Sequence, residues 1–336
     1  MGRGRPPTMA DIARKTGVSP MTVSRAFKAG SLINKETRDA ILQAAEELGY
    51  VFDSTASNLR SKKSDFIAIT IPSINNANFA ETVRGLSNVL SAQGFQILLG
   101  STNYDTQEEE RLIEQFLRRK PQAIVVTGGK HAKRTRTMLE NCRVPVIETW
   151  DAPIDPIGHF VGFSNMLAVR IMVDHFVAVG YRRIAFIGGD SKRDSRGSDR
   201  RLGFIAAMRE HGLDASRLID AGPPPISMRE GADAMRHLLE RMPDTEAVIC
   251  VSDLSAFGAL TQCQRSGVAV PQQIAIGGFG NYEISAVSVP ALTTISAHAL
   301  EIGERTGRMV LDLLDEVGEV ANITLEPRLI VRESSR

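Results

Sequence analysis

From Asp65 onward, short apolar runs alternate with longer amphipathic stretches, and this alternation limits the folds open to the chain more than any other feature. The runs have the length of buried strands, and strands that alternate with helices are typical of parallel sheets covered by helices. The predicted strands are Phe66–Ile71, Phe95–Gly100, Ala123–Thr127, Pro145–Glu148, Arg183–Gly188, Ala247–Val251, Ile274–Phe279 and Leu292–Ser296. The predicted helices include Glu81–Gln93, Gln107–Arg119, Met166–Val179, Arg201–His211, Arg229–Arg241 and Ala256–Ser266.

The strands divide near Gly162 into two groups, which predicts an α/β body of two similar open sheets. Open sheets bind ligands outside the carboxyl ends of their strands, so the residues that follow each strand are expected to line a cleft. An alternative is that the Asn, Ser, Asp and Gly residues there only make turns. The cleft candidates are Ser73, Asn75, Phe79, Thr102, Asn103, Tyr104, Thr127, Gly128, Gly129, Trp150, Asp151, Asn165, Asp190, Ser252, Asp253, Gly280 and Asn281.

A separate pattern occupies the first fifty residues. Thr8 is a predicted N-cap, and Gly17 is a left-handed helix end, because glycine adopts that conformation at little cost. Ser19 caps a second helix with Pro20 at its first position. A third helix is predicted over Lys35–Leu48. Two short helices joined by a glycine-containing turn, with a third helix behind them, indicate an all-α helix-turn-helix head.

The charge is unevenly distributed between head and body. Residues 1–63 hold eleven Lys or Arg against six Asp or Glu, a net charge of +5, whereas the rest of the chain carries −4. A basic head suits a polyanion such as DNA. A solvated basic terminus would give the same count, so charge alone leaves both interpretations open.

Several classes of protein are disfavoured by the sequence. Cys142, Cys250 and Cys263 are widely spaced with no His at metal-ligand spacing, so thiols of a reducing compartment are expected, with neither a disulfide nor a metal site. No secretory signal or membrane-spanning stretch is seen, and a cytoplasmic protein without a membrane partner is expected. No catalytic or phosphate-binding motif occurs, and His131, His175 and His298 are interpreted as lone surface or packing residues. We therefore expect no enzyme and no cofactor.

The head resembles that of the lactose/galactose repressor (LacI/GalR) family of transcriptional regulators. The matching motifs are Met9-Ala10-Asp11-Ile12-Ala13, Gly17-Val18-Ser19, Thr22-Val23-Ser24-Arg25, Thr37-Arg38 and Ala44-Ala45-Glu46-Glu47-Leu48-Gly49-Tyr50. The resemblance implies a recognition helix in the major groove, followed by a hinge helix whose apolar wedge enters the minor groove. By this match the DNA-binding residues are Thr8, Ser19, Pro20, Met21, Thr22, Ser24, Arg25 and, as the wedge, Leu59.

The body resembles the periplasmic-binding-protein-like core of the same family, through Gly162-Phe163-Ser164-Asn165, Arg200-Arg201-Leu202-Gly203-Phe204 and Pro290-Ala291-Leu292-Thr293-Thr294-Ile295. This implies a head over residues 1–53, a hinge and linker over 54–63, and an effector-binding and dimerisation domain over 64–336. Its first lobe is expected at about 64–162 and 293–322, and its second at about 163–292 and 323–336. The implied effector-binding residues are Ser73, Phe79, Asn103, Thr127, Trp150, Asn165, Arg200, Ser252, Asp253 and Asn281.

Two features indicate the class of effector. Many sugar-binding members of the family carry an Asp where this chain has Gly280, and the loss of a carboxylate beside a retained Arg200 favours an anionic ligand. Glu148-Thr149-Trp150-Asp151 and Gln262-Cys263-Gln264-Arg265 resemble the gluconate-operon repressor subgroup. Gluconate or a related sugar acid is therefore the leading candidate.

Three function classes are compatible with parts of this sequence. A repressor controlled by a small ligand explains both head and body. An exported sugar receptor explains the body, but not the head or the missing signal, and an enzyme lacks a motif. The chain also lacks the extra heptad helix that makes some relatives tetramers, so we expect a homodimer on a palindromic operator.

Overall fold

The computed structural model describes residues 5–27, 31–52, 64–189 and 193–335. Its contacts divide the chain into a head unit, residues 1–63, and a body unit, residues 64–336. The predicted hinge with Leu59, and Asp190 among the cleft candidates, lie outside the described residues.

The head contains the three predicted helices, α1 (Met9–Thr16), α2 (Pro20–Ala26) and α3 (Lys35–Leu48). Thr8 and Asp11 form a reciprocal capping box that satisfies backbone N–H groups at the start of α1. Gly17 ends that helix with φ of 71°, as predicted for a left-handed cap.

The three helices share one apolar core. Ile12, Val23 and Ile41, one from each helix, are fully buried. Phe27 follows α2 and stacks on Phe52, with ring centroids 4.9 Å apart. One side of α2 therefore packs on the core of the head, and its opposite side faces solvent.

The body alternates strands and helices throughout, and all eight predicted strands are present within one or two residues of their predicted bounds. The strands are β1 (Phe66–Ile71), β2 (Gln96–Ser101), β3 (Ile124–Thr127), β4 (Val146–Thr149), β5 (His159–Gly162), β6 (Ile184–Gly188), β7 (Leu218–Asp220), β8 (Ala247–Cys250), β9 (Ala275–Phe279), β10 (Thr293–Ser296), β11 (Ile323–Thr324) and β12 (Arg328–Ile330). The helices are α4 (Ala77–Ser91), α5 (Thr106–Arg118), α6 (Lys133–Glu140), α7 (Asn165–Val179), α8 (Ser195–Glu210), α9 (Met228–Arg241), α10 (Asp253–Arg265), α11 (Glu283–Val287) and α12 (Ala299–Leu314), and a 3-10 turn covers Glu333–Ser335.

The strands form two six-stranded sheets, which define two lobes. The first sheet has the order β11-β5-β4-β3-β1-β2 and is parallel throughout. The second has the order β12-β10-β9-β8-β6-β7 and is parallel except at its edge, where β12 runs antiparallel to β10. The α/β prediction is confirmed, with this one antiparallel strand as a departure.

The lobe boundaries lie a few residues later than expected. Residues 293–296 were assigned to the first lobe, but β10 pairs with β9 in the second sheet. Residues 323–324 were assigned to the second lobe, but β11 pairs with β5 in the first. Sequence pattern cannot tell which sheet a short strand joins, because both sheets have the same parallel, buried character. The chain thus crosses between the lobes after β5, after β10 and after β11.

Glycine allows α12 to pack against α4 in the first lobe. A Cβ atom on Gly303 would lie 2.0 Å from the carbonyl oxygen of Thr82, and one on Gly85 would lie 2.4 Å from that of Leu300. The two helix backbones therefore approach more closely than any larger residue would permit.

Cys250 and Cys263 are buried, and Cys142 is half-buried. Among the described residues, no helix is both long and apolar enough to cross a membrane. In the same ranges, no group of three or more His, Cys, Asp or Glu side chains could hold a metal ion.

Candidate functional site

A cavity of about 300 Å³ opens between the two lobes of the body. Its volume is at the lower end of the ~300–1,000 Å³ typical of small-molecule sites. The first lobe contributes loop and helix-start residues after β1, β2 and β4, and the second contributes those after β6, β7, β8 and β9. The lining residues are Ser73, Asn75, Asn76, Asn78, Phe79, Tyr104, Trp150, Asp194, Arg196, Arg200, Pro224, Pro225, Ile226, Ser227, Glu230, Val251, Ser252, Leu254, Phe279 and Tyr282.

Half of the effector-binding residues expected from the sequence line this cavity: Ser73, Phe79, Trp150, Arg200 and Ser252. Another, Thr127, lines a smaller polar cavity nearby, and its carbonyl oxygen accepts a hydrogen bond from Arg196. The rule that ligands bind beyond the carboxyl ends of parallel strands therefore located the cavity.

Two expected residues, Asp253 and Asn165, make hydrogen bonds within the protein and do not line the cavity. Asp253 is fully buried, with Oδ2 accepting from the backbone N–H of Tyr282 at 2.7 Å and Oδ1 from the hydroxyl of Thr294 at 2.6 Å. Burial raises the pKa of Asp253 to about 6, although these hydrogen bonds lower it. Asn165 is also buried and donates to the carbonyl oxygen of Trp150.

The remaining two expected residues lie beside the cavity and outside its lining. The amide oxygen of Asn281 accepts a hydrogen bond from Arg332 at 2.7 Å. The carbonyl oxygen of Asn103 accepts one from Arg193 at 3.0 Å. Both residues have positive φ, 53° and 51°, as do the cavity residues Tyr104 and Trp150. Non-glycine residues in this conformation cost about 1–3 kcal/mol each and concentrate at functional sites.

An aromatic row runs beneath the cavity from one lobe to the other. Phe79, Trp150, Phe163 and Phe279 follow one another with ring centroids 5.3, 5.9 and 6.0 Å apart. The Nε1–H of Trp150 donates to the hydroxyl of Thr82, which fixes the indole ring. These rings give the cavity an apolar floor against which the C–H groups of a ligand can pack.

Arg200 lies over one end of this row, with its guanidinium carbon 4.2 Å from the Phe279 ring centroid. Its Nη1 donates to the carbonyl oxygen of Val251 at 2.9 Å, and Nε to that of Arg196 at 3.2 Å. Within the described ranges, Nη2 has no acceptor and no carboxylate lies within 4.0 Å of the guanidinium. Burial lowers the pKa of Arg200, yet arginine remains charged in proteins.

Two carboxylates that sequence reasoning did not place in the cleft also line it. Asp194 lies 3.7 Å from Nη2 of Arg196, whose guanidinium is over Phe79. Glu230 accepts hydrogen bonds from the backbone N–H and the hydroxyl of Ser227, as the capping box of α9. Each acidic residue stands at the start of a helix, a position that predicts only a cap, so the sequence gives no signal for a cleft role.

The backbone conformation at position 280 and its close neighbours explain why glycine occupies it. This residue has φ of 126°, and a Cβ atom there would lie 2.3 Å from the Tyr282 ring and 2.6 Å from the amide nitrogen of Asn78. An Asp at this position would need a different local backbone. The cleft therefore keeps two arginines with no carboxylate at position 280.

Hydrogen bonds join the two lobes around the cavity. The hydroxyl of Tyr282 donates to Oδ1 of Asn76 at 2.7 Å. Lys130 contacts both carboxylate oxygens of Asp199, at 2.7 and 2.8 Å. These bonds hold the lobes in a closed arrangement.

The second helix of the head presents the expected DNA-binding residues. Pro20, Met21 and Arg25 are exposed on α2, with Met21 57% exposed. The hydroxyl oxygens of Ser19 and Thr22 are 2.9 Å apart, and that of Ser19 caps the helix by accepting from the backbone N–H of Thr22. Ser24 is half-buried. Thr8 donates to Asp11 in its capping box. An exposed apolar and basic surface at the start of a short helix suits insertion into the major groove.

Two family models match the chain. Residues 8–53 match the model described as "Bacterial regulatory proteins, lacI family". Residues 173–335 match a periplasmic binding protein-like domain. The first model covers the head. The second covers most of the second lobe and also α12 and β11, the later segments of the first lobe.

Relatives match almost the whole chain. A transcriptional regulator of Pseudomonas aeruginosa, named GntR, is 34% identical over 98% of this chain and 96% of its own length. The Escherichia coli regulator IdnR is 33% identical over 90% of this chain and 91% of its own. A crystal structure of a LacI-family transcriptional regulator from Silicibacter pomeroyi is 31% identical, with a TM-score of 0.91 over 98% of this chain and all of that one. The chain belongs to the lacI family of bacterial regulatory proteins and is a DNA-binding transcriptional regulator.

Proposed function

We propose that this regulator is a repressor of sugar-acid utilisation genes whose operator affinity is controlled by gluconate or a closely related acid bound between the lobes. The effector carboxylate binds Arg200, and its hydroxyl-bearing chain extends along the neutral polar wall of the cleft. The observation that carries this proposal is the free hydrogen-bonding capacity of Arg200 within the described residues.

The electrostatic argument rests on what surrounds that guanidinium. A partly buried cation with no carboxylate within 4.0 Å in the described ranges gains from an anionic ligand. Two of its nitrogens are fixed by backbone carbonyl groups and its face by Phe279, so Nη2 is preorganised.

The rest of the cavity suits a polyhydroxylated chain. Asn75, Asn76 and Asn78 supply amide groups from the first lobe, and Ser252 supplies a hydroxyl from the second. Such groups pair with several hydroxyls of one ligand, while the aromatic floor packs against its carbon chain.

Titration calorimetry with gluconate and with glucose tests the proposal. Wild type should prefer gluconate, and R200A should lose roughly ten- to a hundredfold in gluconate affinity, as expected for a charge-assisted hydrogen bond. R200K should recover only part, because lysine lacks the fork of donors. R209A removes the same charge from an exposed position of the same helix and should leave affinity unchanged. A wild type that prefers glucose contradicts the anionic effector.

We also propose that the protein binds its operator DNA as a homodimer. A homodimer would place two recognition helices on the halves of a palindromic operator, because a two-fold protein matches a two-fold site. Gel-shift assays on the region upstream of the regulated genes, with and without gluconate, measure this control. Sedimentation of the protein alone tests for the dimer. A response of operator affinity to glucose and none to gluconate would contradict the assignment.

A further inference from the structure

Three helices of the second lobe begin at the rim of the effector cavity. Residues from the first turns of α8, α9 and α10, among them Arg196, Ser227 and Leu254, line it. A helix N-terminus carries the equivalent of about half a positive charge and attracts anions. The cleft could therefore offer several anion sites beside Arg200, unless these helix starts are already neutralised.

Each of the three helix starts carries a carboxylate of the chain itself. Asp194 is the N-cap residue of α8, Glu230 is the third residue of α9, and Asp253 is the first residue of α10. Asp253 is fully buried and spends both oxygens on hydrogen bonds inside the lobe. The positive ends of these helices are thus already balanced, and a second acidic group on a ligand finds no helix dipole to bind.

Of the two carboxylates that line the cavity, Glu230 has the better fixed geometry. Its Oε2 accepts from the N–H of Ser227 at 2.9 Å and also from the Ser227 hydroxyl. Those hydrogen bonds hold the pKa of Glu230 below its ordinary value, so the group is ionised at neutral pH. In the part of the chain that the structure describes, Oε1 has no hydrogen bond and no cation lies within 4.0 Å of this carboxylate.

Arg200 and Glu230 are therefore two cavity-lining groups of opposite charge, each without an ionic partner among the described residues. A carboxylate oxygen accepts hydrogen bonds from ligand hydroxyls, but it repels a second carboxylate or a phosphate. That repulsion is greater at this partly buried carboxylate than at a fully exposed one, because water screens the charge less completely there.

We propose that Glu230 is a specificity-determining residue that restricts the effector to polyhydroxy acids with a single negative charge. It accepts hydroxyl hydrogens from the uncharged part of the ligand and excludes sugar dicarboxylates and phosphorylated sugar acids. This inference rests on the proposed binding of a sugar acid at Arg200.

Calorimetry with gluconate, glucarate and 6-phosphogluconate tests it on the full-length protein. Wild type should bind gluconate roughly tenfold or more tightly than either multiply charged acid. E230Q keeps the shape of the side chain and the capping-box geometry, which tolerates Gln, but removes the charge. It should narrow the preference for gluconate over glucarate several-fold. E240Q makes the same change at an exposed position of α9 and should leave the preference at its wild-type value.

The outcomes separate this inference from the proposed function. A wild type that binds gluconate and glucarate equally well, or an E230Q variant with the wild-type preference, overturns the role of Glu230 while leaving gluconate as the effector. A wild type that binds none of the three acids overturns both. Circular dichroism verifies folding, and E230A, which also removes the charge, replaces E230Q if the latter is unfolded.

Discussion

The hydroxyl of Tyr282 donates a 2.7 Å hydrogen bond to the side-chain oxygen of Asn76 across the cleft between the two lobes of the body. The same oxygen accepts from the backbone N–H of Asn78, as the N-cap of α4, so its position is fixed by the first lobe. Tyr282 is buried in the second lobe and fixed through its own N–H by Asp253. The bond therefore links two rigid groups and favours the closed arrangement of the lobes.

Tyr282→Phe removes this bond with little change of shape. A neutral hydrogen bond contributes about 0.5–1.5 kcal/mol net, so closure should become less favourable by that amount. If the effector binds the closed arrangement, its affinity falls roughly two- to tenfold. Calorimetry with gluconate measures the change, and Tyr181→Phe, at a half-buried tyrosine outside the cavity lining, is the control. Unchanged affinity would show that the bond does not contribute to closure around the ligand.

Arg25→Ala should weaken operator binding by about 1–3 kcal/mol, if its exposed side chain on α2 contacts a base edge as the family resemblance implies. Gluconate affinity should stay at its wild-type value. Gel shifts on operator and on unrelated DNA distinguish base recognition from general attraction to phosphate. An equal loss on both DNAs would assign Arg25 to the backbone.

His131 is buried between two carboxylates in the first lobe. Its Nδ1 is 3.1 Å from both carboxylate oxygens of Glu109, and its Nε2 is 3.5 Å from Oε1 of Glu148. Burial alone would lower the pKa of His131, but the two carboxylates raise it to about 9. His131 is a buried packing residue, as one of the two sequence interpretations expected, but it is not a lone histidine. Its two carboxylate partners are distant in sequence.

Since the pKa of His131 is raised above its unfolded value of about 6.5, the charged triad stabilises the fold fully below about pH 6.5. That contribution, on the order of 2–3 kcal/mol, is lost as pH rises through about 9. Glu109→Gln should lower the pKa of His131 and move the loss to lower pH. Imidazole proton shifts measure the titration, and His175, whose pKa is lowered by burial, is an internal reference in the opposite direction. A wild-type His131 that titrates near 6.5 would contradict the triad.

Asp253→Ala should act on stability. It leaves the buried N–H of Tyr282 and the hydroxyl of Thr294 without their acceptor, which costs roughly 2–4 kcal/mol. Urea unfolding measures the loss, with Asp233→Ala at an exposed position of α9 as the comparison. If the variant is as stable as wild type but no longer binds gluconate, Asp253 contacts the effector after all.

The strand pattern carried most of the fold prediction. Buried parallel strands are continuous apolar runs, and the eight such runs are strands in the structure. Four strands, β5, β7, β11 and β12, were not predicted, because they are short and partly polar: His159–Gly162, Leu218–Asp220, Ile323–Thr324 and Arg328–Ile330. Their pairing depends on neighbouring strands that are far away in the sequence.

The candidate site was predicted in part, for a related reason. Residues directly after buried strands, such as Ser73 and Ser252, were found because strand ends meet at one edge of a sheet. Asn76, Glu230 and Tyr282 were missed, because each belongs to a loop or helix start whose place in the cleft depends on how the two lobes close. Asp253 showed the converse error: a carboxylate beside the cleft is used internally.

The chain crosses between the two lobes three times, and this limits which parts of the protein recombination can exchange. The head is encoded by one continuous stretch, so a single genetic exchange can replace its operator specificity. Each lobe is assembled from separated stretches, with α12 and β11 returning to the first and β12 to the second. Recombination cannot transfer one intact lobe between relatives in a single step. A single exchange can therefore replace the head or the whole body, whereas a change confined to one lobe requires substitutions within that lobe.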